Sequence, residues 1–576
     1  MRLVGLLAFT CLAGLTPLAA KAAGADTLTF DPNSFTTVHI TLDGQPMEVR
    51  RYQMVYVAKP VEIDVTKRAS LGGAPAGGPA PTANGTAPPN GQGPMASSTD
   101  PLAWQSMYVY VPATSTADAK TAIILQVNNG GWMASPARDI VREGAALSST
   151  SDTDNTGAAL KAGYVVVSAG TRSRGIVDTK GDWAGKAPAV VVDAKAAIRY
   201  LRKNDAVMPG SAERIVITGT SGGGGLSAAV SASGNSPDYL PELAAIGAAG
   251  IDAAGRSTVR DDVFATIAYC PINDLGHADA AYEWQYGGLR TASNSPASAV
   301  DAAHQAGSKT LAEAYPAYLE SLGLKDASGA PLTVATLPAA IVAMVKASAE
   351  DALARGTKIP ALGEDFEIAR RGPPGAASTG VTKLKNDWLT IENGKVTAID
   401  YGQYLAFVAA NQTLKGVPAF DSSGNTGNKG VTGENSLFGS AKVQYANFSA
   451  YGWDHNDTAG DGSGRDDTGK DWAAYTAGEG AALARQIKLV SPIPYLTSRT
   501  TTVAPYWYVR HGTIDRDTAF AVQATLAAAI NNNPKVKQAN VKLAWMRGHA
   551  GDYDVQEAYG WLASVLRQAG DPKPAT

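Results

Sequence analysis

The chain reads as an α/β fold: a mostly parallel sheet with helices on both faces, opened by antiparallel strands and interrupted by one large insertion. Three observations predict it. Short apolar runs alternate with helical patterns over residues 121–271. The same alternation resumes over 504–568 after a long break. Between them, the β-branched run Arg214-Ile215-Val216-Ile217-Thr218 enters Gly219-Thr220-Ser221-Gly222-Gly223, a strand running through a tight turn into a helix.

The elements follow in order. Arg2, the apolar stretch 3–12 and Ala20-Lys21-Ala22 read as a signal peptide over 1–22, so the mature protein is expected to be periplasmic or secreted. Runs 36–41 and 47–65, with a turn at Asp43-Gly44, read as paired strands, and 106–111 as another. Residues 66–100 are rich in Gly, Pro, Ala, Ser, Thr and Asn and read as a flexible loop. Strands are expected at 121–128, 164–169, 215–218 and 263–271. An amphipathic helix fits 187–203, with Val190, Val191, Ala194, Ile198 and Leu201 on one face. Over 277–500 the rhythm breaks, although 312–322 and 337–354 keep helical spacing; this segment reads as an inserted lid or cap domain. The core is then 23–276 with 501–576, closed by a strand (504–510), a helix (518–530), a strand (541–546) and a helix (554–568).

Composition narrows the partners. The 576 residues are 45% hydrophobic and 18% charged, with net charge −3, which argues against nucleic acid or an anionic membrane. No run beyond the N-terminus approaches a membrane span. Only Cys270 would remain after signal removal, so no intrachain disulfide can form; it reads as a buried structural residue of the 263–271 strand. No C-x-x-C, H-E-x-x-H or P-loop pattern is present, and no metal or cofactor is expected. The Asp-rich stretch 454–467 lacks EF-hand spacing and reads as a solvated loop.

The turn at Ser221 has the form of a nucleophile elbow. A serine hydroxyl attacks only if a base takes its proton, and that base is normally a histidine oriented by a carboxylate. The α/β-hydrolase fold delivers these in the order nucleophile, acid, histidine. Of His39, His277, His304, His455, His511 and His549, only His549 follows the last strand, where the base belongs; His511 falls near the end of the strand before the acid. In Gly512-Thr513-Ile514-Asp515-Arg516-Asp517, Asp515 is the first choice of acid and Asp517 the second; the other reading has one of them capping the helix from Thr518. Backbone N–H groups of Gly222, Gly130 and Gly131 are the expected oxyanion donors. A serine peptidase with the same order of residues, or a binding protein on this fold, would be the alternatives. The first lacks an N-terminal repeat here, and the second should have lost one of these groups.

Several segments together resemble bacterial tannases (tannin acyl hydrolases) and the subtype B tannase-like carboxylesterases. They are Gly130-Gly131-Trp132-Met133, Gly185-Lys186-Ala187-Pro188-Ala189, Gly219-Thr220-Ser221, Tyr269-Cys270-Pro271-Ile272 with His277 to Trp284, Pro418-Ala419-Phe420-Asp421, Glu434-Asn435-Ser436-Leu437-Phe438-Gly439, Ala504-Pro505-Tyr506-Trp507 and Asp515-Arg516-Asp517-Thr518. The resemblance runs from about residue 100 to the C-terminus. It implies a serine esterase acting on galloyl esters, with Ser221, Asp515 and His549 as the triad. It also implies that Lys415, Glu434 and Asp517 hold the ring hydroxyls. A feruloyl or chlorogenate esterase, or a general carboxylesterase, is the nearest alternative. Gly222 stands where many members carry alanine, and the 66–100 loop is peculiar to this chain.

Overall fold

β-Branched and aromatic residues mark many of the runs that become strands. In a computed structural model ten of these strands join one sheet. The structure describes residues 28–67, 98–113, 115, 120–296, 299–369, 380–422, 433–456 and 464–570. The strands are β1 (Thr36–Leu42), β2 (Gln45–Val55), β3 (Ser106–Pro112), β4 (Ile123–Gln126), β5 (Ala146–Leu147), β6 (Val165–Ala169), β7 (Ile215–Thr220), β8 (Ala265–Tyr269), β9 (Asp365–Ala369), β10 (Val381–Lys385), β11 (Leu389–Glu392), β12 (Lys395–Ile399), β13 (Tyr506–Gly512) and β14 (Gln538–Ala544). The large sheet runs β14-β13-β8-β7-β4-β6-β3-β2-β1-β5. From β14 to β6 every pairing is parallel; β6, β3, β2 and β1 then pair antiparallel. The predicted α/β-hydrolase sheet with N-terminal antiparallel strands is therefore present. Its inner parallel strands β6, β8 and β13 are buried on both faces, which explains why they lack a polar/apolar alternation.

Several local expectations differ. The strand predicted over 47–65 ends at Val55. Beyond it, the N–H groups of Ala58 and Lys59 donate instead to the carbonyls of Gly247 and Ile246, and Pro60 has no N–H to give. The helix predicted over 312–322 is Ala302–Ser321 and begins where the Asp301 side chain accepts from the His304 N–H. Gly307, which looks like a loop residue in sequence, lies under Tyr451, whose hydroxyl would sit 2.1 Å from a Cβ there. The helix after β13 starts at Phe520 with Ala519 as its cap, so neither Asp515 nor Asp517 caps it. Cys270 is buried as expected but lies just past β8, at φ 42°.

The helix Ala189–Lys203 is not one-sided: Val190 through Leu201 are all buried, including Asp193, Lys195 and Arg199. The charges are tolerated because each is paired. Asp193 takes the Arg172 guanidinium at 2.8 Å, and Asp261 takes Lys195 at 2.8 Å and Arg199 at 3.0 Å.

Between β8 and β13 the described residues add no strand to the large sheet. They form helices, among them Leu275–Tyr286, Leu337–Ala354 and Tyr401–Asn411, and the hairpins β9–β10 and β11–β12. These hairpins have alternating exposure and polar outward residues, and periodicity did not reveal them. The expected signal peptide, most of the 66–100 loop, and the centre of the 454–467 stretch lie outside the described residues. Among the described residues no helix is long and apolar enough to cross a membrane.

Candidate active site

Adjacent parallel strands end at one edge of the sheet, and the crevice outside those carboxyl ends is where such sheets place ligands. β7 delivers Ser221, the turn after β13 delivers Asp515, and the loop after β14 delivers His549. Ser221 sits at φ 61° and ψ −122°, a backbone strain typical of an elbow that lifts Oγ above the strand end. Its N–H is held by the Tyr269 carbonyl at 2.9 Å. Ser221 Oγ lies 2.8 Å from His549 Nε2, and His549 Nδ1 lies 2.8 Å from Asp515 Oδ2. With Nδ1–H donating to the carboxylate, Nε2 is left to accept the serine proton.

Asp515 is wholly buried, which disfavours its charge, yet His549 and His511 outweigh burial and hold its carboxyl below the usual range. Its Oδ1 also accepts the Asp517 N–H at 2.9 Å, and His511 Nδ1 lies 3.3 Å from Oδ2, the oxygen that His549 contacts. Burial pushes the His549 imidazolium down, but the Asp515 charge overcomes this, so His549 titrates well above its ordinary value.

The loop after β4 faces the serine. Trp132 and Met133 donate their N–H groups within the turn, to Asn129 O at 2.8 Å and Gly130 O at 3.2 Å. Those of Gly130 and Gly131 precede the turn bonds and are not used by them. Gly131 adopts φ 59°, which favours glycine. The segment after β6 grips this loop. Thr171 Oγ1 donates to the Asn129 side chain at 3.0 Å, Ser173 Oγ to Trp132 O at 2.6 Å, and Arg174 Nε to Gly131 O at 2.6 Å. Gly222, the first residue of the helix Gly222–Ala232, packs directly on it: a Cβ there would lie 2.2 Å from Trp132 N and 2.4 Å from Asn129 O. This explains why alanine is not accommodated in this chain. Gly222→Ala is expected to displace the loop and lower kcat by about 10²-fold or more, with circular dichroism unchanged. Unchanged kcat would show that the contact is not used.

Lys415, Glu434 and Asp517 lie close enough to act on one another electrostatically, and Asp517 borders His549. Burial pushes the Lys415 ammonium down, and the charges of Glu434 and Asp517 act on it in the opposite sense. Its Nζ stands 3.5 Å from the centre of the Phe420 ring. Asp517 pairs with Arg516, and its carboxylate lies 3.8 Å from His549 Nδ1.

Two buried carboxylates organise this corner. Asp279, on the helix Leu275–Tyr286, accepts from Phe420 N at 2.7 Å and Asp421 N at 3.0 Å. Burial, reinforced by the Asp421 charge, raises its carboxyl to about 7. Asp421 in turn accepts from Asn435 Nδ2 at 2.6 Å and from Ser449 Oγ at 2.7 Å, tying the 420 segment to the short helix Gly433–Leu437 that carries Glu434.

Arg174 was not singled out by the sequence. It is buried, bonded to Gly131 O, and close enough to Glu434 to feel its charge. The signal available was its place in Arg172-Ser173-Arg174, charged residues directly after a buried parallel strand.

This sheet, with these residues at its carboxyl edge, has the arrangement of the α/β-hydrolase class. The BD-FAE family model matches residues 107–314. No curated protein matches the chain. Solved structures do. A tannin acyl hydrolase bound to 3,4-dihydroxybenzoate is 28% identical, with 94% of this chain and 99% of that one covered and a TM-score of 0.70. Native tannin acyl hydrolase from Lactobacillus plantarum is 28% identical over the same shares, with a TM-score of 0.68. The Fusobacterium nucleatum tannase is 29% identical over the same shares, with a TM-score of 0.67. The chain is thus an ester hydrolase similar in structure to tannases.

Proposed function

We propose that the protein is an exported serine esterase that hydrolyses galloyl and related polyphenolic esters. One observation carries the reading: the hydrogen-bonded chain Ser221–His549–Asp515 lies beside a cluster of one lysine and two carboxylates, Lys415, Glu434 and Asp517. Phenolic hydroxyls are donors that carboxylates accept, and the lysine supplies donors to the ring oxygens. The likeness to tannases solved with 3,4-dihydroxybenzoate and with ethyl gallate supports this choice of acyl group. Export rests on the N-terminal charge, apolar core and A-x-A site. The 277–500 insertion acts as a lid domain, since it supplies both Lys415 and Glu434.

In the mechanism, His549 Nε2 takes the Ser221 proton as Oγ attacks the ester carbonyl. The N–H groups of Gly222, Gly130 and Gly131 receive the oxyanion. Asp515 stabilises the imidazolium, which then protonates the departing alcohol. Water, activated by the same histidine, releases the aromatic acid from the acyl-serine. Purified protein mixed with methyl gallate and acid-quenched should release gallate and show, by mass spectrometry, a galloyl ester on the peptide bearing Ser221. Turnover that persists in Ser221→Ala would refute the acyl-enzyme; no turnover would refute the substrate.

A further inference from the structure

Lys186 belongs to none of the groups above, yet its surroundings are unusual. Its Nζ is buried, and its hydrogen-bond acceptors are three carbonyl oxygens: Ser436 at 3.0 Å, Phe438 at 2.7 Å and Gln444 at 2.9 Å. An ammonium has three N–H groups and a neutral amine two, so three converging carbonyls match the charged form. Burial alone works against that charge, pushing it down to about 7. A buried cation held by dipoles is costly to maintain, which suggests a task.

The three carbonyls lie in the segment that carries Glu434, and the neighbours of Lys186 grip the same segment. Ala187 N donates to Leu437 O at 2.7 Å, Trp183 N to Ala441 O at 2.8 Å, and Asp182 pairs with Lys442. Residues 182–187 lead into the core helix Ala189–Lys203, whereas 433–444 belong to the insertion. Lys186 is thus where the core fixes the insertion's part of the site.

We propose that Lys186 is a positioning residue for substrate specificity: its ammonium closes three carbonyls of the 436–444 segment and so holds Glu434 at the phenolic ring. This rests on the reading of Glu434 as a hydroxyl acceptor. It assigns Lys186 no contact with the ester, so chemistry on a ring without hydroxyls should not need it.

The test compares Lys186→Met, Glu434→Gln and the double variant, in the full mature protein, on methyl gallate and methyl benzoate. Lys186→Met should raise KM for methyl gallate about tenfold, in line with the cost of a misplaced binding group, and leave kcat/KM for methyl benzoate within about twofold. The double variant should be no worse on methyl gallate than Glu434→Gln alone, because both changes remove one interaction. If the methionine variant does not fold, Lys186→Gln, with two N–H groups, is read by the same criteria and should fall between. Equal losses on both esters would reduce Lys186 to a general structural role and overturn the proposal. So would an unchanged gallate KM in the lysine variant while Glu434→Gln raises it. If Glu434→Gln itself leaves the preference for gallate unchanged, the reading of Glu434 fails instead.

Discussion

Ser221→Ala is expected to lower kcat by roughly 10⁶-fold, and adding Asp515→Asn to it should cost almost nothing more, because the three groups act as one unit. Asp515→Asn alone should cost about 10⁴-fold, since the amide no longer fixes the imidazole with Nε2 free to accept. The same variant tests the electrostatics. His549 must be neutral to act as base, and Asp515 holds its imidazolium well above the ordinary 6.5. The acid limb of kcat/KM should therefore have its midpoint above pH 6.5 in the wild type. Removing the carboxylate charge favours the neutral ring, so the limb should move to lower pH while the plateau falls. An unmoved limb would mean that Asp515 does not set the histidine's basicity. The pH profile of methyl gallate hydrolysis, wild type beside Asp515→Asn, is the measurement.

The second large effect concerns what the site reads. On the proposed function, Lys415→Met, Glu434→Gln and Asp517→Asn each remove a partner for a ring hydroxyl. Each should reduce kcat/KM for methyl gallate by about 10- to 100-fold while leaving methyl benzoate nearly unchanged, which compresses the preference. Asp517→Asn needs separate attention because its backbone N–H also supports Asp515. That bond comes from the main chain and survives the substitution, so benzoate hydrolysis is the control. Parallel losses on both esters would place Asp517 in the triad's support rather than in hydroxyl recognition.

The parts of the site that were legible in the sequence are local. Ser221 follows a β-branched run and sits between glycines, and such a turn writes itself into consecutive residues. Asp515 and His549 follow two neighbouring parallel strands, so chain order alone brings them together. Lys415 and Glu434 are different. Their approach depends on Asp279 catching the backbone at Phe420 and Asp421, and on Asp421 catching Asn435, contacts between distant residues that no periodicity records. Only the resemblance pointed to them. Arg174 and Lys186 were missed for the same reason: a buried cation bonded to carbonyls looks, in sequence, like any surface charge. The helix Ala189–Lys203 shows the converse error. Its charged residues suggested an outer face, whereas pairing with Arg172 and Asp261 allows that face to be buried. The hairpins β9–β10 and β11–β12 have half-exposed alternation too short to stand out.

The proposed function stands on recognition of the acyl group by its ring hydroxyls. It is tested most directly by kcat/KM for methyl gallate against methyl 3,4,5-trimethoxybenzoate, the same ring with every hydroxyl capped. A preference for gallate on the order of 10³-fold or more is expected, because the capped ring leaves Glu434 and Asp517 without donors. Equal rates on the two esters would keep the hydrolase and contradict the hydroxyl reading.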